Sequence, residues 1–127
     1  MQLLLDTHVF LWWLADDPKL GPRSRSEIAK GDNFVFISAV SAWEISVKRA
    51  AGRLEAPGDI AEWIRHQEFS ALPIEVEHAI LAGELPAHHA DPFDRMLIAQ
   101  ARLEELTLVT HDPQIPQYEV TVLDAAA

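Results

Sequence analysis

Four acidic residues that lie far apart in the sequence have positions that could build one catalytic site. Asp6 directly follows a run of three leucines, and Asp112 lies two residues past a later apolar run. Glu44 falls about one and a half turns into the helix predicted after the second strand. Asp94 falls about one turn into the helix predicted before the Asp112 strand. If the strands are parallel, all four acids approach the carboxyl edge of one sheet, where open α/β folds bind ligands.

Carboxylates gathered in this way would repel each other strongly, and a hard divalent cation relieves that repulsion. Magnesium prefers oxygen ligands, keeps several waters and is usually held by few carboxylates together with substrate phosphate. The chemistry predicted for these acids is therefore metal-assisted hydrolysis of a phosphodiester. In that chemistry the cation activates a water and neutralises the charge that builds on the phosphate.

Each acid also has a purely structural explanation. Asp6, Asp112 and Asp91, which precedes a proline, could cap the helix or turn that follows them. Asp94 would complement the helix dipole from the first turn. Glu44 completes a capping-box pattern and could also pair with the lysine one turn on. The catalytic interpretation therefore depends on the four acids meeting in space.

Apolar runs typical of buried strands alternate along the chain with helical segments. The predicted strands cover residues 3–5, 34–37, 69–74, 106–110 and 120–123. The predicted helices cover residues 9–14, 22–30, 39–51, 60–68, 75–85 and 91–106. Pro73 places the third strand at a sheet edge, and Gly52 marks the end of the third helix.

This alternation predicts one α/β domain over residues 1–127, without internal repeats or linkers. We expect three layers, with a mainly parallel sheet of about five strands and helices on both of its faces. Residues 125–127 are three alanines, and we expect this tail to fray.

Composition narrows the function classes. Twenty acids against ten Lys and Arg give a net charge of −10, whereas a protein that coats a phosphate backbone is usually basic. Either nucleic acid is not the partner, or the carboxylates hold cations that then meet phosphate. The absence of cysteine excludes disulfides and thiolate metal sites and fits a reducing cytoplasm. No uncharged apolar run approaches the ~18 residues of a membrane span, so we expect a soluble cytoplasmic protein.

Four segments carry a family pattern: Leu4–Thr7, Ser38–Ile45, Asp91–Ala101 and Leu108–Asp112. Together they resemble a PIN-domain ribonuclease, and the nearest likeness is to the VapC-type toxins of bacterial toxin–antitoxin pairs. The likeness spans nearly the whole chain in the family's order. Its most specific part is the five-residue sequence Asp-Pro-Phe-Asp-Arg that begins at Asp91.

The resemblance implies a PIN-like fold and an endoribonuclease that depends on Mg²⁺ or Mn²⁺. It implies that the catalytic, metal-binding cluster consists of Asp6, Glu44, Asp94 and Asp112. It also implies a homodimer, and a cognate antitoxin that covers the active cleft. The accessory candidates are Asp91, Thr110 and Thr7.

Basic and aromatic residues near these motifs have two interpretations. Lys48, Arg49 and Arg95 could contact RNA phosphates, or could form a solvated face and local ion pairs. The adjacent pair His88-His89 could bind a transition metal, but a mobile polar loop is the commoner explanation. The four tryptophans are expected to be mostly core, with one or two in an exposed patch for a partner.

Three alternatives to a nuclease toxin stay open at this point. The first is a housekeeping RNA-processing PIN nuclease. The second is a phosphatase with an aspartyl nucleophile, which usually needs a second acid two residues later, where this chain has His8. The third is a non-catalytic acidic interaction module of the receiver kind. Such a module would want a lysine after a late strand, and the residues from Thr110 to Asp112 include none.

Overall fold

The first predicted strand forms the centre of a five-stranded parallel sheet. The computed structural model describes all 127 residues. The sheet has the order β3-β2-β1-β4-β5, and every neighbouring pair is parallel. The strands are β1 (Gln2–Leu5), β2 (Phe34–Ser38), β3 (Ser70–Leu72), β4 (Thr107–Thr110) and β5 (Val122–Asp124).

Burial on both faces explains why β1 is a continuous apolar run. Leu3, Leu4 and Leu5 are all inaccessible to solvent. Because side chains alternate along a strand, Leu3 and Leu5 enter one hydrophobic core and Leu4 enters the other. A polar residue at any of these positions would be buried without a partner.

Six helices cover the two faces. They are α1 (Thr7–Ala15), α2 (Pro22–Ala29), α3 (Ala39–Ala50), α4 (Ile60–His66), α5 (Val76–Glu84) and α6 (Pro92–Leu103). Helices α1, α2 and α4 contribute to the core that contains Leu3, and α6 contributes to the core that contains Leu4. Helix α3 contributes to both cores, through Ile45 to the first and Val40 to the second. The predicted three-layer α/β fold with helices on both faces is therefore confirmed.

The local signals agree with the structure, with element ends shifted by a few residues. The strand next to Pro73 lies at a sheet edge as predicted. Gly52 follows α3 with φ of +69°, a backbone conformation that glycine adopts without strain. No helix is both long enough and apolar enough to cross a bilayer.

The expectation of a frayed C-terminal tail is wrong. Ala125 is fully buried, and its carbonyl accepts a hydrogen bond from Gly21 N at 2.8 Å. The carbonyl of Ala127 accepts one from Ser24 N at 3.1 Å. A Cβ atom on Gly21 would lie 2.0 Å from that Ala127 carbonyl oxygen. Because glycine has no Cβ atom, Gly21 leaves the space in which residues 125–127 pack beside α2.

Candidate active site

Asp6 lies where the central strand ends, and its side chain is buried. Its backbone N–H donates to Val109 O at 3.0 Å, which continues the pairing of β1 with β4. Thr110 ends β4, and its hydroxyl donates to Asp6 Oδ2 at 2.7 Å. Burial raises the pKa of the Asp6 carboxyl, and the hydrogen bond from Thr110 opposes that rise. Two neighbouring strands thus hold this acid at the carboxyl edge.

Glu44 is buried in the second turn of α3, with one oxygen paired and the other without a partner. The helix starts at Ala39, because Ser38 is its N-cap and accepts a hydrogen bond from Val40 N at 3.0 Å. A capping-box role for Glu44 is therefore wrong. Its Oε2 instead pairs with Lys48 Nζ, while the buried Oε1 accepts no hydrogen bond.

Asp91 and Asp94 have different roles at the start of α6. Asp91 is the N-cap, and its Oδ1 accepts hydrogen bonds from Phe93 N at 2.8 Å and Asp94 N at 3.4 Å. The Asp94 side chain is only 14% exposed. Burial, followed by the charges of Asp6 and Asp91, raises its pKa from 3.8 to about 7. Asp94 is therefore a carboxyl that binds a proton at a much higher pH than a solvent-exposed aspartate does.

Asp112 reaches the same place from the end of β4, and a histidine links it to Asp94. His89 Nε2 lies 2.7 Å from Asp112 Oδ2 and 2.9 Å from Asp94 Oδ2. The sequence favoured a polar loop for this histidine, but its side chain is only 11% exposed. The nearby Asp91 was the sequence signal that His89 could belong to the site. The sequence of a loop does not reveal the direction in which the histidine ring points.

The structure brings the four predicted acids into one pocket of about 240 Å³. The charges of Asp6 and Glu44 both act on Asp94, in keeping with a single shared site. The predicted accessory Asp91 also faces this pocket. The lining residues are Asp6, His8, Val9, Trp12, Glu44, Lys48, Asp91, Asp94, His111 and Asp112.

The donor set fits a hard divalent cation. Five carboxylates line the pocket, and Lys48 is the single lysine or arginine among the lining residues. The buried Glu44 Oε1 lacks any hydrogen-bond donor, and burial and then the charges of Asp6 and Asp91 raise the pKa of Asp94 to about 7. Carboxylate oxygens are the ligands that Mg²⁺ and Mn²⁺ accept. A cation here would satisfy the unpaired oxygen and replace the proton.

Three of the other predicted site residues turn away from the pocket. Arg95 donates to the carbonyls of five residues in and after α5, so the prediction that it contacts phosphate is wrong. Arg49 donates to the carbonyls of residues 56 and 57. The buried Thr7 hydroxyl donates to Ser41 Oγ at 2.9 Å. These three residues support the fold, whereas Lys48 remains in the pocket.

Comparison with known proteins agrees with this geometry. Residues 3–120 match the PIN domain family. The chain belongs to the PIN domain family. This PIN domain is 27% identical over 116 residues to Ribonuclease VapC22 of Mycobacterium tuberculosis. The aligned region covers 89% of this chain and 88% of that protein.

Solved structures share the fold of this PIN domain. VapBC2 from Rickettsia felis, bound to a DNA fragment from its promoter, matches with a TM-score of 0.68 and 15% identity over 97% of this chain and 98% of that one. DNA-bound VapBC from Salmonella typhimurium matches with a TM-score of 0.66 and 18% identity over 98% of both chains. The resemblance inferred from the four sequence segments is therefore confirmed.

Proposed function

We propose that this PIN domain is a metal-dependent endoribonuclease that hydrolyses RNA phosphodiester bonds and acts as the toxin of a type II toxin–antitoxin pair. The observation that carries the proposal is the single acidic pocket formed by Asp6, Glu44, Asp94 and Asp112. Family membership and the similarity to a protein named Ribonuclease VapC22 support the same activity.

The four acids would hold Mg²⁺ or Mn²⁺. When bound, the cation supplies positive charge to the phosphate and lowers the pKa of a water that attacks it. Asp6 is fixed through Thr110, which leaves its carboxylate at a constant position beside the pocket. Glu44 presents its unpaired Oε1, and Asp94 presents a carboxyl whose proton a cation can displace.

Lys48 would act on the substrate as well as on Glu44. Its ammonium pairs with Glu44 Oε2 and lies at the pocket surface, with its side chain 24% exposed. A phosphate entering the pocket meets this ammonium and would be held by it. Trp12 also lines the pocket and is partly exposed, and its indole ring would stack on an RNA base.

An antitoxin partner is supported by what the solved relatives are. Two of them are VapBC assemblies, and a third is a toxin–antitoxin complex from Klebsiella pneumoniae with a TM-score of 0.67 and 16% identity. We infer that a cognate antitoxin covers the acidic cleft, that the toxin forms a homodimer, and that both act in the cytoplasm. The net charge of −10 favours a basic segment in such a partner.

RNA cleavage in defined metal tests the enzymatic proposal. Purified protein is incubated with a panel of structured RNAs in Mg²⁺, Mn²⁺ or EDTA, together with Asp6→Asn and Glu44→Gln. We expect cleavage by the wild type in metal alone and loss in both variants at unchanged circular dichroism. Asp32→Asn is the matched control, since Asp32 is an exposed acid in the turn before β2. Intact RNA under every metal would refute the proposal.

Growth of cells separates a toxin from a housekeeping nuclease. Induced expression is expected to stop growth, and co-expression of the protein encoded beside it is expected to restore growth. Glu44→Gln should be harmless at equal expression. Unimpaired growth with an RNA-cleaving wild type would favour an RNA-processing enzyme instead.

A further inference from the structure

The loop between α5 and α6 is held by two side chains that grip the backbone of His89. Arg95 Nη1 donates to His89 O at 3.1 Å and to Pro86 O at 3.0 Å. The Tyr118 hydroxyl accepts from His89 N at 2.8 Å and donates to Pro86 O at 2.7 Å. Both backbone polar groups of His89 are therefore hydrogen-bonded, and this fixes the position from which its ring contacts Asp94 and Asp112.

The hydrogen bonds of the ring determine which nitrogen carries its proton. His89 Nδ1 accepts from Asp91 N at 3.2 Å, so Nδ1 has its lone pair available and no hydrogen. A neutral imidazole with an unprotonated Nδ1 carries its hydrogen on Nε2. That hydrogen points to Asp112 Oδ2 at 2.7 Å and Asp94 Oδ2 at 2.9 Å. His89 is thus a donor shared by two carboxylates.

A protonated Nε2 has no lone pair for a cation, so this arrangement differs from a His-Asp-Asp metal site. The nitrogen and the two carboxylate oxygens do lie within 4.8 Å of one another, as ligands would. Asp112 Oδ1 also accepts from Gln114 N at 2.9 Å, so each oxygen of Asp112 accepts one protein donor and keeps a second lone pair for a cation. His89 therefore orients the acids and leaves the Oδ1 atom of Asp94 for a cation.

We propose that His89 is a positioning residue of the metal site, whose Nε2–H joins Asp94 to Asp112 and holds both carboxylates in the orientation that binds the cation. This inference rests on the proposed metal-dependent nuclease activity. Because both side chains accept from one donor, their separation is fixed, whereas without it each could rotate independently. Arg95 and Tyr118 act one step further out, by holding the loop.

Imidazole nitrogen NMR tests the tautomer without any substrate. The protein is labelled with ¹⁵N at histidine, and the His89 ring is assigned by comparison with His89→Gln. In EDTA at pH 7.5 we expect a hydrogen on Nε2 and an acceptor at Nδ1, as the hydrogen bonds require, and we expect the same pattern after Mg²⁺ is added. Loss of the Nε2 hydrogen on Mg²⁺ binding would make His89 a ligand and would overturn the proposal.

Metal affinity tests the positioning role. We expect His89→Ala to weaken Mn²⁺ binding by about 10- to 100-fold, the range usual for groups that orient metal ligands. His89→Gln keeps a donor near the place of Nε2 and should recover much of that loss. His66→Ala is the matched control, because His66 is an exposed histidine at the end of α4 and is absent from the pocket lining. Mn²⁺ binding is measured by electron paramagnetic resonance, and folding by circular dichroism.

The outcomes distinguish this inference from the proposed function. Wild-type Mn²⁺ affinity in folded His89→Ala would overturn the role of His89 and leave the nuclease proposal intact. A wild type that binds no Mn²⁺ would overturn the metal-dependent function itself. In cleavage assays at saturating metal, kcat should fall in His89→Ala while KM for RNA changes little, because His89 contacts the acids and is not on the pocket wall. If Ala at this position prevents folding, Tyr118→Phe provides the same test through the loop, with a smaller expected loss of affinity.

Discussion

Replacing Asp94 with asparagine is expected to stabilise the metal-free fold while abolishing metal-dependent cleavage. Asparagine has the shape of a protonated aspartic acid but never acquires its charge. The folded-state pKa of Asp94 is about 7, raised from 3.8 by burial first and then by Asp6 and Asp91. The native state therefore binds a proton that the unfolded chain has already released, and the stability of the wild type falls as pH rises from about 4 to 7.

The size of the effect follows from that shift. Ionising a carboxyl whose pKa is raised from 3.8 to about 7 costs about 4 kcal/mol in the folded state once the pH is well above 7. Rotation of the acids and entry of water relieve part of this cost, so we expect Asp94→Asn to gain about 2 to 4 kcal/mol at pH 8 in EDTA. At pH 4, where the wild-type carboxyl is protonated in the folded state, most of that gain should be absent.

Urea unfolding of the wild type, Asp94→Asn and the exposed control Asp32→Asn measures this directly. Each protein is unfolded in EDTA at pH 8 and at pH 4, and the midpoints are compared at equal m-values. The same samples are assayed for RNA cleavage in Mn²⁺, where only Asp94→Asn should be inactive. An Asp94→Asn protein that is no more stable than the wild type at pH 8 would refute the claim that burial and the neighbouring acids raise the pKa of Asp94.

Three further results are expected. Mn²⁺ at about 100 times its dissociation constant should stabilise the wild type by about 2.7 kcal/mol. The same Mn²⁺ concentration should stabilise the protein more at pH 8 than at pH 5.5. Thermal unfolding in Mn²⁺ and in EDTA measures both effects. Arg95→Lys should lower the free energy of unfolding by about 3 kcal/mol in urea, because it leaves partly buried carbonyls at the end of α5 and just after it without donors. Lys48→Met, which keeps the aliphatic stem, should raise KM for RNA and lower stability at pH 8, because Glu44 loses its only ionic partner.

Positions that depend on where an element begins or ends were predictable from the sequence. Asp6 follows a run that only a doubly buried strand would use, and the parallel order then fixes the edge at which it lies. Ser38 as an N-cap places Glu44 beyond the first turn of α3, which removes its capping explanation. Asp91 before Pro92 is a local N-cap signal, and the hydrogen bonds that its side chain accepts from the backbone N–H groups of residues 93 and 94 bear it out.

Positions that depend on contacts between distant segments were not predictable. Arg95 follows Asp94 directly, yet its guanidinium turns back to α5, because the carbonyls at the end of that helix need donors. His89 reaches Asp112 from a loop whose backbone is held by Arg95 and by Tyr118, which lies 29 residues later. The terminal alanines pack because Gly21 leaves room for them. In each case the orientation of the side chain or segment depends on residues that are distant in the sequence, so the local sequence does not predict it.

The pocket concentrates negative charge where the fold can partly offset it. Asp94 lies in the first turn of α6, where the positive end of the helix dipole favours a carboxylate, and Lys48 pairs with Glu44. These groups are insufficient, since burial and neighbouring charge still leave Asp94 with a pKa of about 7. The proton on Asp94 therefore stands where a cation's charge would act. A cation bound here would displace that proton, so we expect the apparent metal affinity to increase as pH rises through 7.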